Sequence, residues 1–396
     1  MKSHSISIVL VTNAYFPATE EGGPPFSNRE LAEALVRVGA RVTVVTTDRN
    51  GAGRLDVVKD KWTEIGGVGV FYASTKPGAW IRSRSFKKAI QFAVSSADIC
   101  LMSSIFWNYT GFVTWRACSA AVVPYITYPR GLLGPWALQY KRTKKAAYWR
   151  LIARRIVNGS KAIVVLTDRE ARQVAALGLH PPTAIIPNGA ARVSDSEDQA
   201  ETDTTNCRHR GSTESDDYLL FLGRIHPTKG IDLLLPAFDV SVASGVSARL
   251  LIAGPVDKSY EAEFRRLLSQ CVSADRVDVL GSVSGAKKSA LLKNALAFIL
   301  TSYGEGLPVA VLEAMSVGTP VIITPECSLP DVARVRAGIE VKLDVKSIAN
   351  GIIAVWKDRQ MREELSANAV MLVRDKYSWD SIGERTLALC RDIAYP

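Results

Sequence analysis

Residues 218–238, YLLFLGRIHPTKGIDLLLPAF, decide the architecture of this 396-residue chain. YLLFLG is an unbroken apolar run of strand length that stops at Gly223, as a strand buried on both faces does. RIHPTKG follows as a polar loop, and an apolar helix starts near Gly230. A strand feeding a helix through a short loop is one step of a parallel sheet, and the step recurs in both directions along the chain. Downstream come ARLLIAG with a helix from 258, VDVLG with a helix from 285, AFILTS with a helix from 308, PVIIT, IEVKL, and a helical stretch over 346–394. Upstream are ISIVLVT (6–12), RVTVVTT (41–47), VGVFYA (68–73), ICLMS (99–103), VPYITY (123–128) and AIVVLT (162–167). Helices are expected between them at 25–38, 84–95, 108–120, 136–156 and 168–177. Between the two series, residues 194–217, SDSEDQAETDTTNCRHRGSTESDD, lack periodicity and large apolar residues and read as a flexible linker or insertion. The expected class is therefore α/β: two doubly wound, Rossmann-like domains facing across a cleft. They span 1–193 and 218–375, joined by the acidic segment 194–217, with a helix in 376–396 packing back toward the first domain. Such sheets bind ligands at the carboxyl ends of their strands, so the cleft is the expected active site.

Composition narrows the class. Apolar residues make up 47% and charged residues 22%, which excludes wholesale disorder, collagen and coiled coil. The net charge of +10 is unevenly distributed. Residues 1–193 hold 26 Lys/Arg against 11 Asp/Glu, residues 194–217 hold 2 against 8, and residues 218–396 hold 21 against 20. An anionic partner (nucleic acid, membrane surface or phosphorylated substrate) is thus expected on the first domain, unless the surplus serves only solubility. The six cysteines, Cys100, Cys118, Cys207, Cys271, Cys327 and Cys390, form no CxxC pair and no zinc spacing, which fits a reducing cytoplasm and no structural metal. No apolar run approaches the roughly 20 residues of a spanning helix. The opening MKSHSISIVLVTNAYFP reads as a first buried strand rather than a signal peptide.

Four segments carry candidate chemistry. In EGGPPFSNRELAEALVRVG (21–39), Gly22 and Gly23 allow close backbone approach just before a helix. The free N–H groups there suit a phosphate, and the segment reads equally as a plain turn. In FLGRIHPTKG, Arg224 and Lys229 flank a loop at a helix N-terminus, the makings of a diphosphate clamp or of two solvated surface cations. In TSYGEGLPVAVLEAMSVGTPVIIT (301–324), Glu305 sits in a loop after a strand, Gly306 and Leu307 offer backbone donors, and Pro308 suits the first helical position. Glu313 lies eight residues on amid apolar neighbours, where an unpaired carboxylate would be costly. Paired carboxylates of this kind can hold sugar hydroxyls, although a helix dipole alone also favours one. Finally YPRGLLGPWALQYKRTKKAAYWRLIARR (128–155) mixes Lys and Arg with Trp136, Tyr140, Tyr148 and Trp149, and KPGAWIRSRSFKK (76–88) repeats the theme. A basic helix with aromatics can lie on a membrane, grip a phosphorylated acceptor, bind nucleic acid, or be a core helix with a solvated face.

Together and in this order, the segments resemble the retaining glycosyltransferases of family 4, with the two-domain GT-B fold, over nearly the whole chain outside 194–217. The resemblance rests on GGPPFSNRELAEALVRVGARVTVVT (22–46), PNG (187–189), GRIHPTKG (223–230), LLIAGP (250–255) and EGLPVAVLEAMSVGTPVI (305–322), with the E-x7-E spacing of Glu305 and Glu313. YPRGLL with PWAL, and TPECSLPD (324–331), are similar to a bacterial subgroup associated with exopolysaccharide and lipopolysaccharide assembly. The resemblance implies that Arg224 and Lys229 bind the donor diphosphate, that Glu305 with the backbone of Gly306, Leu307 and Pro308 holds the donor sugar, and that Glu313 holds the ribose. It also places Gly22 and Gly23 over the donor and the base near Pro255 and Val283. Arg130 stands where many relatives carry a histidine near the reacting centre. Arginine cannot act as a general base, but it can steer an anionic acceptor or stabilise the leaving phosphate.

The expected function is retaining transfer from a nucleotide-diphosphate sugar to a hydroxyl of a polysaccharide or lipid-linked saccharide, with no metal and no cofactor. The donor clamp lies in the nearly neutral half, so the basic surplus of the first domain points to an anionic membrane or a diphosphate-linked acceptor and away from nucleic acid. A cytoplasmic protein at the inner membrane face is expected. The competing readings are a nucleotide-sugar epimerase, which would convert the donor alone, and a non-catalytic sugar-nucleotide or nucleic-acid-binding module. A dinucleotide oxidoreductase is disfavoured because no GxGxxG follows a strand.

Overall fold

The computed structural model describes residues 5–18, 20, 23–51, 53–75, 82–104, 107–133, 147–190 and 217–396. The candidate Gly22, almost all of the acidic segment 194–217, residues 76–81 and residues 134–146 of the basic segment lie outside the described residues. The chain forms two units, one of Met1–Gly189 with Trp379–Pro396, the other of Ala190–Ser378.

The first unit is built on β1 (Ser7–Thr12), β2 (Arg41–Thr47), a two-stranded ribbon of β3 (Arg49–Asn50) and β4 (Gly53–Arg54), then β5 (Trp62–Ile65), β6 (Val68–Ala73), β7 (Ile99–Ser103), β8 (Tyr125–Tyr128), β9 (Ala162–Val165) and β10 (Thr183–Ile185). Eight of these make one sheet in the order β10-β9-β8-β7-β1-β2-β6-β5. All pairings are parallel except β5 on β6. Every residue of β7, β8 and β9 is buried, as expected of parallel strands covered on both faces. The helices are α1 (Pro24–Arg37), α2 (Arg84–Val94), α3 (Tyr109–Ala121), α4 (Arg154–Asn158), which continues a π turn at Trp149–Ala153, and α5 (Asp168–Ala175). Ser83 caps α2 and Thr167 caps α5, each accepting a backbone N–H of the first turn.

The second unit has β11 (Tyr218–Leu222), β12 (Arg249–Ala253), β13 (Val277–Gly281), β14 (Ala297–Leu300), β15 (Val321–Ile323) and β16 (Gly338–Glu340), all parallel, in the order β13-β12-β11-β14-β15-β16. Its helices are α6 (Ile231–Ala243), α7 (Glu261–Gln270), α8 (Gly285–Asn294), α9 (Val309–Ser316), α10 (Asp331–Arg334), α11 (Val345–Lys357) and α12 (Arg359–Leu372). This is the doubly wound order in which winding reverses at the first strand, here between β11 and β14. Helices on the two sides leave a crevice there, at the carboxyl ends of those two strands. Two glycines let the loops close on it. Gly230, at φ +68°, faces the Thr301 carbonyl where a Cβ would collide, and Gly254, at φ +135°, faces the Gly223 carbonyl in the same way. Farther from the crevice, buried Asp331 is bound by Lys376, Arg334 and the Tyr377 hydroxyl, which ties α10 to the turn that follows α12.

The last helix described, α13 (Trp379–Ala394), belongs to the first unit. With α1 it covers one face of the first sheet, where Leu10, Leu35, Ile382 and Leu387 share a core. The other face is covered by α2, α3 and α4 through Phe86, Ile90, Val113, Cys118 and Ile156.

Candidate active site

The crevice of the second unit collects most of the candidate residues. The loop after β11 carries Arg224 and Lys229, and the loop after β14 carries Glu305 to Pro308. A single turn of 3-10 helix, Pro227–Lys229, presents the lysine; His226 caps it by accepting the Thr228 N–H. Lys229 Nζ donates to Glu305 Oε1 at 2.5 Å, and Ser302 Oγ donates to the same oxygen at 2.5 Å. The two loops are stitched at the backbone as well: the Tyr303 N–H donates to the Thr228 carbonyl at 2.8 Å, and the Ser302 hydroxyl, whose one proton serves Glu305, lies 2.8 Å from the same carbonyl. The Glu305 N–H donates to the Glu326 carbonyl at 2.9 Å, which holds the loop from the β15 side. Lys229 and Glu305 are therefore fixed relative to each other, and two ammonium N–H groups remain on Lys229.

Around this pair the other candidates fall as follows. Arg224 is exposed and lies 3.7 Å from Asp257 Oδ2, a loose pairing. The Ser259 hydroxyl and amide hold the Asp257 carboxyl below its ordinary value, with His226 and Arg224 adding to the effect. Pro308 is the N-cap of α9, so Gly306, Leu307 and Pro308 lead straight into its free N-terminal N–H groups. Glu313 lies buried within α9, and Lys288 of α8 donates to its Oε1 at 2.7 Å, which answers the question of how a carboxylate survives among apolar neighbours. Pro255 is exposed after β12, and Val283 is half-buried after β13, so both stand on the carboxyl edge of the sheet.

Arg130 lies in the first unit, and its side chain is engaged within that unit. It adopts φ +50° just after β8, and its side chain turns inward. Nε donates to Ser103 Oγ at 2.9 Å, Nη1 to Asn188 Oδ1 at 2.7 Å and to Ser27 Oγ at 3.1 Å, and Nη2 to Asn28 Oδ1 at 2.9 Å. Asn28 in turn donates to Thr12 Oγ1 at 3.1 Å. Four of the five guanidinium N–H groups are thus committed to neutral oxygens. Burial depresses the Arg130 pKa to about 10, while Tyr128 and Glu170 oppose that fall. The Glu170 carboxylate accepts the backbone N–H groups of Gly131 and Leu166 at 2.7 and 2.8 Å. Arg130 thus ties together the ends of β1, β7, β8 and the PNG segment at the first sheet's own reversal point, between β1 and β7. Gly23 is the N-cap of α1, and Pro24 and Pro25 at the first two helical positions carry no N–H, so Phe26 is the one backbone donor among the first three positions, fewer than the sequence suggested for a phosphate site.

Sequence reasoning did not single out Lys288, Ser302, Asn28 or Ser103. Ser302 stood inside a quoted motif. Lys288 had no signal, because it meets Glu313 from a different helix.

Comparisons with known proteins agree with this architecture. A family model described as glycosyl transferase 4-like domain matches residues 22–189, and one described as glycosyl transferases group 1 matches residues 204–370. An uncharacterized glycosyltransferase of Methanocaldococcus jannaschii is 33% identical over 182 residues, 46% of this chain and 46% of that protein. The GDP-mannose-dependent monoacylated alpha-(1-6)-phosphatidylinositol monomannoside mannosyltransferase of Corynebacterium glutamicum is 27% identical over 219 residues, 53% of this chain and 56% of that protein. The chain thus spans about half the length of these curated relatives. The crystal structure of Anabaena HepE in complex with UDP and glucose superposes with a TM-score of 0.69 at 15% identity, covering 98% of this chain and 100% of that one. That likeness is one of fold. Carrying a glycosyl transferase 4-like domain over residues 22–189 and a group 1 domain over residues 204–370, the chain belongs to the GT-B glycosyltransferases.

Proposed function

We propose that this protein moves a sugar from a nucleotide-diphosphate sugar to a hydroxyl of a saccharide or lipid-linked saccharide, with retention at the anomeric carbon and without a metal, in the building of a cell-surface glycan. The observation that carries the reading is the Lys229–Glu305 pair, at 2.5 Å, in the crevice between β11 and β14. Lys229 uses its two remaining N–H groups on the diphosphate, and exposed Arg224 closes on it from the same loop. Both bonds to Glu305 land on Oε1, which leaves Oε2 for a donor-sugar hydroxyl. The amides at the start of α9 stabilise charge on the departing phosphate. Glu313 takes the ribose hydroxyls through Oε2, and Pro255 and Val283 flank the base.

In the transfer step the anomeric C–O bond to the diphosphate breaks, and the acceptor oxygen bonds the same carbon on the same face. The acceptor proton passes to the departing phosphate oxygen, so no protein general base is required. The products are the glycoside and the nucleoside diphosphate. Arg130 has no part in this step in our reading; its role is to hold the crevice of the first unit in shape. The HepE complex with UDP and glucose and the lipid-borne acceptor in the name of the C. glutamicum relative support this donor and acceptor class.

The test is mass spectrometry of reactions with candidate donors, with and without acceptor. Lys229→Met and Glu305→Gln should each lower transfer by about a hundredfold or more while leaving the melting curve intact. Full transfer in either variant refutes the site. A new nucleotide sugar formed without acceptor replaces transfer by epimerisation.

A further inference from the structure

We infer that the face of the first unit formed by α2, α3 and the helical segment 149–158 docks on an anionic lipid bilayer. The inference rests on the lipid-borne acceptor proposed above for its purpose, but not for its test. The three helices read RSFKKAIQFAV, YTGFVTWRACSAA and WRLIARRIVN, and contain no Asp or Glu. Their seven cations, Arg84, Lys87, Lys88, Arg116, Arg150, Arg154 and Arg155, are all exposed. The opposite face of the same sheet is charge-balanced: α1 and α13 together carry four Arg against five Asp and Glu. At the edge of the basic face, α5 carries two of each sign. Among the described helices of the first unit, the basic surplus therefore lies on one side of the sheet.

Charge alone does not distinguish lipid from nucleic acid. The apolar groups on this face do. Phe92 is 67% exposed and Leu151 is 65% exposed, each within a helix that carries three of the cations. The Phe92 ring lies 6.3 Å from that of Trp62, which is itself partly exposed on β5. Between α2 and α3 runs a groove of about 650 Å³, with Lys87 and Arg116 on its rim and Phe112, Val113, Ala117 and Ala120 along its wall. Exposed cations around exposed aromatic and aliphatic side chains match phosphate headgroups above acyl chains, whereas phosphate on a nucleic acid would leave Phe92 and Leu151 without a partner. Among the described residues no helix is long and apolar enough to cross a membrane, so the contact lies on the surface. Both α2 and α3 begin at the carboxyl edge of their sheet, so a bilayer on this face lies beside the edge that Arg130 organises.

The experiment is co-sedimentation of the full chain, without donor, with vesicles of phosphatidylcholine alone or mixed with phosphatidylglycerol. The wild type should bind only the mixed vesicles, and more weakly as salt rises. Each cation near the surface contributes about fivefold in partitioning, so the triple change Lys87→Ser, Lys88→Ser, Arg116→Ser should weaken binding about a hundredfold. The pair Phe92→Ser, Leu151→Ser should weaken it at constant charge. Removing three exposed cations from the second unit, by Arg265→Ser, Arg359→Ser and Arg374→Ser, should change nothing. No binding to the mixed vesicles, equal binding to both vesicle types, or equal loss in the second-unit variant overturns the inference. So does duplex DNA that displaces the vesicles and binds the Phe92→Ser, Leu151→Ser variant as well as the wild type, which would make the partner a nucleic acid. Vesicle binding with transfer absent under every condition would instead overturn the proposed function alone.

Discussion

Replacing Arg130 separates a structural tie from a catalytic cation. In Arg130→Met four hydrogen bonds are lost, but their acceptors do not suffer equally. Asn28 Oδ1 keeps the Ser103 hydroxyl, and Ser27 Oγ keeps the carbonyls of Gly23 and Pro24. Asn188 Oδ1, on a half-buried side chain, is left without its donor, which costs about 1 kcal/mol. The bonds to Ser103, Ser27 and Asn28 add to this, and relief from burying the guanidinium offsets part of the total, so a net destabilisation of about 2 kcal/mol is expected. For a unit of this size that corresponds to a fall in Tm of about 4–8 °C. Arg130→Lys keeps the charge but not the planar fork, and should fall nearly as far. Differential scanning calorimetry of the full chain reads the shift, and a cycle with Asn188→Ala isolates the tie. The two substitutions should couple by about 1 kcal/mol or more. Full rescue by lysine, or additivity within about 0.5 kcal/mol, would refute the idea that the fork itself organises the crevice.

Two further outcomes follow from the second unit. Lys288→Met strips the partner from buried Glu313, so donor KM should rise about tenfold with kcat within about twofold, and an unchanged KM would remove Glu313 from the ribose. Burial pushes the Asp331 carboxyl up, but Lys376, Tyr377 and Arg334 outweigh it and hold its pKa below the ordinary value. A folded pKa lower than the unfolded one gives stability that is present above about pH 4 and lost as pH falls through the folded value. The urea midpoint of the second unit should therefore drop on acidification, and Asp331→Asn should flatten that dependence; equal slopes would show that the cluster contributes nothing.

The alternating runs made the frame legible. RVTVVTT, VGVFYA and ICLMS coincide with β2, β6 and β7 residue for residue, because largely buried parallel strands are rich in apolar and β-branched residues. Trp62–Ile65 was missed because this antiparallel edge strand alternates between half-buried and exposed positions. The crevice was legible wherever a loop is short. Arg224, Lys229 and Glu305 all lie within a few residues of a strand end, so sequence distance stood in for spatial distance. Lys288 and Glu313 are 25 residues apart on separate helices, and Arg130 meets Ser27 and Asn188 across 103 and 58 residues. Those meetings are set by strand order, which local periodicity does not encode. Arg130 was accordingly read by its charge alone, and the four hydrogen bonds that its side chain donates were not foreseen.

The position of α13 has a consequence for how the chain comes to be folded. The second unit is one continuous stretch, Ala190–Ser378, and needs nothing from outside it to close its sheet. The first unit is completed only by Trp379–Ala394, which lays Trp379 over Gly189 and brings Asp380 to Arg37, 343 residues back. On the ribosome the half that is made first is thus the half that is finished last. Until α13 emerges, the apolar stripe of α1 has no cover, and the nascent first unit must wait, half-dressed, while its younger neighbour folds.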